Sequence, residues 1–148
     1  MRDRISSQNW KIIDLPGISA RDCQKLGSLG IHTTFDLLQE AKTRSQRIDL
    51  AAKLQVHPHH LQKWIALADL ARIPSVGCQY CGLLLHSGII SPSQLSTTPA
   101  SRLHRQVLKL YVATLQRNDL CPSAGEVTRW IQQARWIAQP TSESRQIP

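Results

Sequence analysis

Three groups of side chains in this sequence have the types and spacing to do chemistry. Cys78-Gln-Tyr-Cys81 has the two-residue gap of metal-binding and redox pairs. A zinc site needs two further ligands; only His86 and Cys121 offer themselves, and neither belongs to a second tight pair. A redox pair needs a strand–helix–strand setting, and no alternating β-branched run flanks this one. Cys81 reads as a small buried helix residue. Cys78, just after Gly77 at a helix start, is expected to carry a thiol more acidic than usual. His57-Pro58-His59-His60 is the second group. It reads as a capped helix start whose exposed positions are histidine, so no metal and no cofactor are expected.

The third group is cationic. The 148 residues carry a formal charge of +8, which favours an anionic partner. Positions 70–118 hold no Asp or Glu, yet include Arg72, Arg102, Arg105, Lys109 and Arg117. Arg102, Arg105 and Lys109 follow one another at spacings of three and four, so on a helix they share one face. Leu103, Val107 and Leu110 fall on another face and supply its packed side.

The elements that position these residues occur twice. Leu15-Pro16-Gly17-Ile18-Ser19 and Ile73-Pro74-Ser75-Val76-Gly77 lie 58 positions apart. At that offset six identities align: Pro16/Pro74, Cys23/Cys81, Leu26/Leu84, Gly30/Gly88, Ile31/Ile89 and Leu37/Leu95. A later stretch repeats at an offset of 66, pairing Leu54 with Leu120, Trp64 with Trp130, Ile65 with Ile131 and Ala68 with Ala134. The difference implies eight extra residues between Leu95 and Leu120. This self-similarity predicts a tandem duplication, with units at 1–72 and 73–138 and a frayed tail at 139–148.

Helix punctuation follows the same pattern. Gly30 and Gly88 stand where a helix ends on a left-handed residue. Thr33 reads as an N-cap with an acid, Asp36, three residues on, and Ser91 with Gln94 and Ser123 with Glu126 read as capping boxes; Pro92 and Pro58 sit at first helical positions, and Thr98 is placed to cap a helix beginning at Pro99. Trp64 and Trp130, on apolar faces, are expected in the core. Trp10 and Trp136 lack that repeated pattern; Trp136 takes the slot of Leu70 and is expected to be packed but partly exposed near an end, and either Trp is a candidate anchor for a partner protein. No segment alternates as a strand would, so the fold class is all-α: a compact array of duplicated helical hairpins with no sheet.

The Leu-Pro-Gly-Ile-Ser turn, followed by a helix and then Leu29-Gly30-Ile31-His32-Thr33-Thr34, resembles the helix-hairpin-helix superfamily. With Trp64-Ile65 and Trp130-Ile131, residues 10–138 are most similar to a tandem family of photosynthetic bacteria that carries no assigned activity. In the superfamily, a hairpin with two glycines presents backbone N–H groups at a helix N-terminus to a DNA phosphate. The resemblance therefore implies a phosphate contact at Gly17, Ser19, Ser75 and Gly77. Each hairpin keeps one glycine of the pair: the first has Ser19, the second Ser75, where the motif wants Gly.

These observations weigh against an enzyme, since ten scattered acidic residues form no catalytic constellation. Two binding functions remain. The expectation is weak, sequence-independent nucleic-acid binding through the hairpins and the basic helix face; the alternative is a scaffold that docks on protein through Trp and other apolar surface. No apolar run approaches the roughly 18–20 residues of a membrane span. The N-terminal Met-Arg-Asp-Arg-Ile-Ser lacks the apolar core of a secretory signal, so a cytoplasmic, reducing location is expected, with the four cysteines as thiols.

Overall fold

The computed structural model of the chain describes residues 6–115 and 121–138. Among them the chain forms eight helices and no sheet: α1 (Ala20–Ser28), α2 (Thr34–Gln39), α3 (Arg44–Leu54), α4 (Pro58–Ala71), α5 (Gly77–His86), α6 (Pro92–Ser96), α7 (Ala100–Leu115) and α8 (Ala124–Ala138), with a 3-10 turn at Ile12–Asp14. The fold is all-α. The expected tail at 139–148 and Arg117 lie outside the described residues.

Local sequence sets most helix ends. α1 and α5 both stop in a Schellman arrangement, with Ile31 N–H donating to Leu26 O and Ile89 N–H to Leu84 O, each at 3.0 Å. The Gly30 and Gly88 backbones are left-handed there, at φ 82° and 92°. Thr33 and Asp36 form a full capping box on α2. A second full box, Thr43 with Gln46, starts α3; its T-x-x-Q signature is plain in the sequence but was not among the expected caps. His57 caps α4, its Nδ1 accepting from His59 N–H at 3.0 Å.

Three expected caps differ in their partners. Ser91 Oγ accepts from Gln94 N–H, but the Gln94 side chain turns back to Ile90 N–H rather than to Ser91, because its amide also donates to Gly88 O. Ser123 caps α8, its Oγ accepting from Glu126 N–H at 3.1 Å, and no return bond from the Glu126 side chain to Ser123 is present among the described residues. Thr98 does not cap α7: its hydroxyl donates to Gln94 O at 2.8 Å, the end of α6 lying closer than the new helix.

Apolar faces then decide the packing. α2 and α3 pack on α4, α6 and α7 pack on α8, and α4 packs on α5, which joins the two halves. Leu61, Trp64, Leu67, Ala68, Leu70 and Ala71 are buried on α4; Val127, Trp130, Ile131 and Ala134 on α8. Trp64 and Trp130 are core residues, as their spacing predicts. A strap of residues 8–12 crosses the first half without forming a strand. Gln8 N–H bonds Arg72 O, Ile12 N–H bonds His32 O, and the buried Thr34 hydroxyl accepts from Trp10 N–H.

Candidate nucleic-acid interface

Leu103 and Val107 are fully buried against the fold, and they orient α7. At about 100° per residue, Arg102, Arg105 and Lys109 then project well away from the buried stripe, and all three are exposed. Leu110 is only half-buried, so the packed side is narrower than its spacing predicts. Among the described residues the only ion pair is Arg72–Asp69, which leaves no carboxylate within 4.0 Å of these three cations. Arg117, the further expected member, lies outside the described residues.

The first hairpin is open. Gly17 is left-handed at φ 78° with nothing within 4 Å of the position its Cβ would take, and Ser19 is spent as the N-cap of α1, accepting from Asp22 N–H at 3.0 Å. Asp14 and Asp22 flank this turn, so its field is not purely favourable to an anion.

The second hairpin is closed, against expectation. Ser75 is tied to α8: its N–H and its hydroxyl both donate to Gln133 Oε1, at 2.8 and 2.7 Å. The Val76 and Gly77 amides both donate to Ile73 O. Gly77 is buried beneath the Trp10 indole, and a Cβ there would lie 2.9 Å from Trp10 Cζ2. The glycine therefore serves a close internal approach of the Trp10 ring. Arg72 is likewise turned inward: its Nε and Nη2 hold Asp69 Oδ1 at 2.9 and 2.8 Å, and its Nη1 reaches Ser7 Oγ. Burial raises the Asp69 carboxyl above its ordinary value, and Arg72 opposes that rise.

The other chemical groups are accounted for by packing. Burial, with Asp14 nearby, pushes the Cys78 thiol up to about 11, so the expected acidification at the helix start does not occur. Cys81 is fully buried and pushed to about 12. No cluster of three or more His, Cys, Asp or Glu residues that could hold a metal occurs among the described residues. Trp10 is not a free docking anchor, because its Nε1 donates to Ala71 O at 2.7 Å and its ring covers Gly77. Trp136 remains 44% exposed.

One feature escapes the sequence reading. A groove of about 560 Å³ runs along α4, bounded by Arg47 of α3 on one side and by Leu85, His86 and Ile90 on the other. Its residues come from separate helices and share no motif; the only local hint is Ile90, an apolar residue left 60% exposed.

No helix among the described residues is long and apolar enough to cross a membrane. Neither a curated protein nor a solved structure matches this chain. A family model does match, over residues 16–137, from the first hairpin turn to the last turn of α8. The chain belongs to that family, DUF4332, a domain of unknown function.

Proposed function

We propose that this protein is a non-catalytic helical binding module that holds a nucleic-acid phosphate backbone weakly and without reading sequence. The observation that carries this reading is the α7 face. Arg102, Arg105 and Lys109 stand exposed there, free of carboxylate partners among the described residues, in a stretch of chain that contains no acid. Such a stripe matches consecutive phosphates and makes no base-edge contact. The helix-hairpin-helix resemblance supports the same function class. The open Gly17 turn, whose amide has no acceptor among the described residues, is the one hairpin end left to contribute.

Fluorescence anisotropy with a labelled duplex and a labelled single strand, over a series of salt concentrations, tests this. Binding should weaken steeply with salt. The combined change Arg102→Ala, Arg105→Ala, Lys109→Ala should flatten the log-affinity against log-salt slope by about two to three units. Absence of wild-type binding at micromolar protein and low salt overturns the reading. The second reading, a scaffold that docks on protein, draws its support from the exposed Trp136 and the apolar surface around Ile90.

A further inference from the structure

The groove along α4 combines two properties that the α7 face lacks together. Its floor is apolar: Ile65 and Ala66 of α4, Leu85 of α5 and the exposed Ile90. Its polar rim carries two cations, Arg47 and Lys63, with His59, Gln62 and His86 beside them. The one acid that faces it, Asp69, is already paired with Arg72 at 2.8 Å and adds little negative field. Arg47 is held in place on its rim, with Nη1 donating to Ala41 O and Lys42 O at 3.2 and 3.3 Å.

The spacing of the α4 residues suits a helix. His59, Lys63, Ala66 and Asp69 recur every three to four positions, which makes a straight stripe of about 15 Å, roughly three turns. Ala66 at its centre lets another backbone come close. We propose that this groove is a docking site for an acidic amphipathic helix of a partner protein, its apolar residues on Ile65, Leu85 and Ile90 and its carboxylates on Arg47 and Lys63. Charge complementarity selects an acidic partner, and the apolar floor selects a helix over a phosphate polymer. A nucleic acid would leave Leu85 and Ile90 uncovered, and no Trp, Tyr or Phe lines the groove for a base to stack on.

The proposal stands apart from the α7 reading and is tested with designed probes. A fluorescent helical peptide of about four turns carries Leu at spacings of three and four with Glu elsewhere. One control replaces every Glu with Lys; the other replaces every Leu with Ser. The acidic Leu peptide should bind with a dissociation constant in the range of about 10–100 μM, and both controls at least about tenfold more weakly. Ile90→Asp and Lys63→Glu, both on exposed side chains that leave helicity by circular dichroism unchanged, should each weaken it by about tenfold. The triple α7 variant should bind the peptide like wild type.

Three results overturn the proposal. One is no binding of the acidic Leu peptide at about 500 μM protein. Another is equal binding of the Ser control, which would make the groove a plain anion patch. The third is displacement of the peptide by an oligonucleotide together with insensitivity to Ile90→Asp.

Discussion

The two hairpin turns share a proline and the same apolar pattern, with Gly and Ser exchanged, and end in opposite states. In the first, Gly17 faces open space and the α1 N-terminus is capped locally by Ser19. In the second, Ser75 is bound to Gln133 on α8 and Gly77 is covered by Trp10, both partners coming from remote parts of the chain. At the 66-residue offset the position of Gln133 is held in the first half by Leu67, which has no acceptor to offer and is buried in the core. A turn that could meet a ligand and a turn that locks helices together thus differ mainly in what reaches them from elsewhere. The lesson is that a motif's backbone amides are available only when nothing in the fold has claimed them.

Substitution of the two turn glycines should have the largest effect. Gly77→Ala places a Cβ at left-handed φ and 2.9 Å from an indole held by its own hydrogen bond to Ala71 O; it should cost about 2–5 kcal/mol, from backbone strain and overpacking together. Gly17→Ala meets only the strain, and should cost about 1–2 kcal/mol. Urea denaturation of both variants checks the order; equal losses would mean that Trp10 does not restrict the second turn.

A smaller effect is expected at Gln133. Gln133→Leu gives the second half the residue type of the first and leaves the Ser75 amide and hydroxyl without their acceptor. The loss should be about 1–3 kcal/mol, with faster hydrogen exchange at the Ser75 amide. Unchanged exchange there would show that Gln133 does not hold the turn.

The smallest effect separates the helices that follow each hairpin. The α2 cap uses Asp36, whose carboxylate accepts from His32 and Thr33 N–H at 3.1 and 3.2 Å; these bonds hold its pKa below the ordinary 3.8. The α6 cap uses Gln94, which does not titrate in this range. A depressed folded pKa means that the Asp36 contribution is fully present above the unfolded value near 3.8 and is lost as pH falls through the folded one. Asp36→Asn should therefore flatten the acid limb of the stability profile below that value. Gln94→Glu should introduce a new pH dependence on the same side. Chemical denaturation between neutral pH and the acid limb measures both.

Much of the fold was legible because its punctuation is local. Thr33 with Asp36, Pro58, Pro92, Gly30 and Gly88 act through residues within six positions of themselves, and the periodic Leu, Ile and Trp residues name the buried faces. The exposed basic stripe on α7 was legible for the same reason, since helical spacing alone separates it from Leu103 and Val107. The site was read less well where a second element intervenes. Arg72 looked like part of a basic stretch, yet Ser7, 65 positions away, reaches its guanidinium, whereas its ion pair with Asp69 is a local i,i+3 contact that the sequence already offers. Cys78 looked acidified by a helix start, yet burial and Asp14 dominate.

The all-helical class, most helix boundaries and the charge of each helix face follow from local sequence, because backbone hydrogen bonds and side-chain period operate within one or two turns. Which hairpin stays open, and where Arg47, Lys63, Leu85 and Ile90 meet in a groove, came from the packing of separate helices. Those outcomes depend on pairs of residues far apart in the chain, whose contact is set by the packing of α4 on α5 and of α6 and α7 on α8.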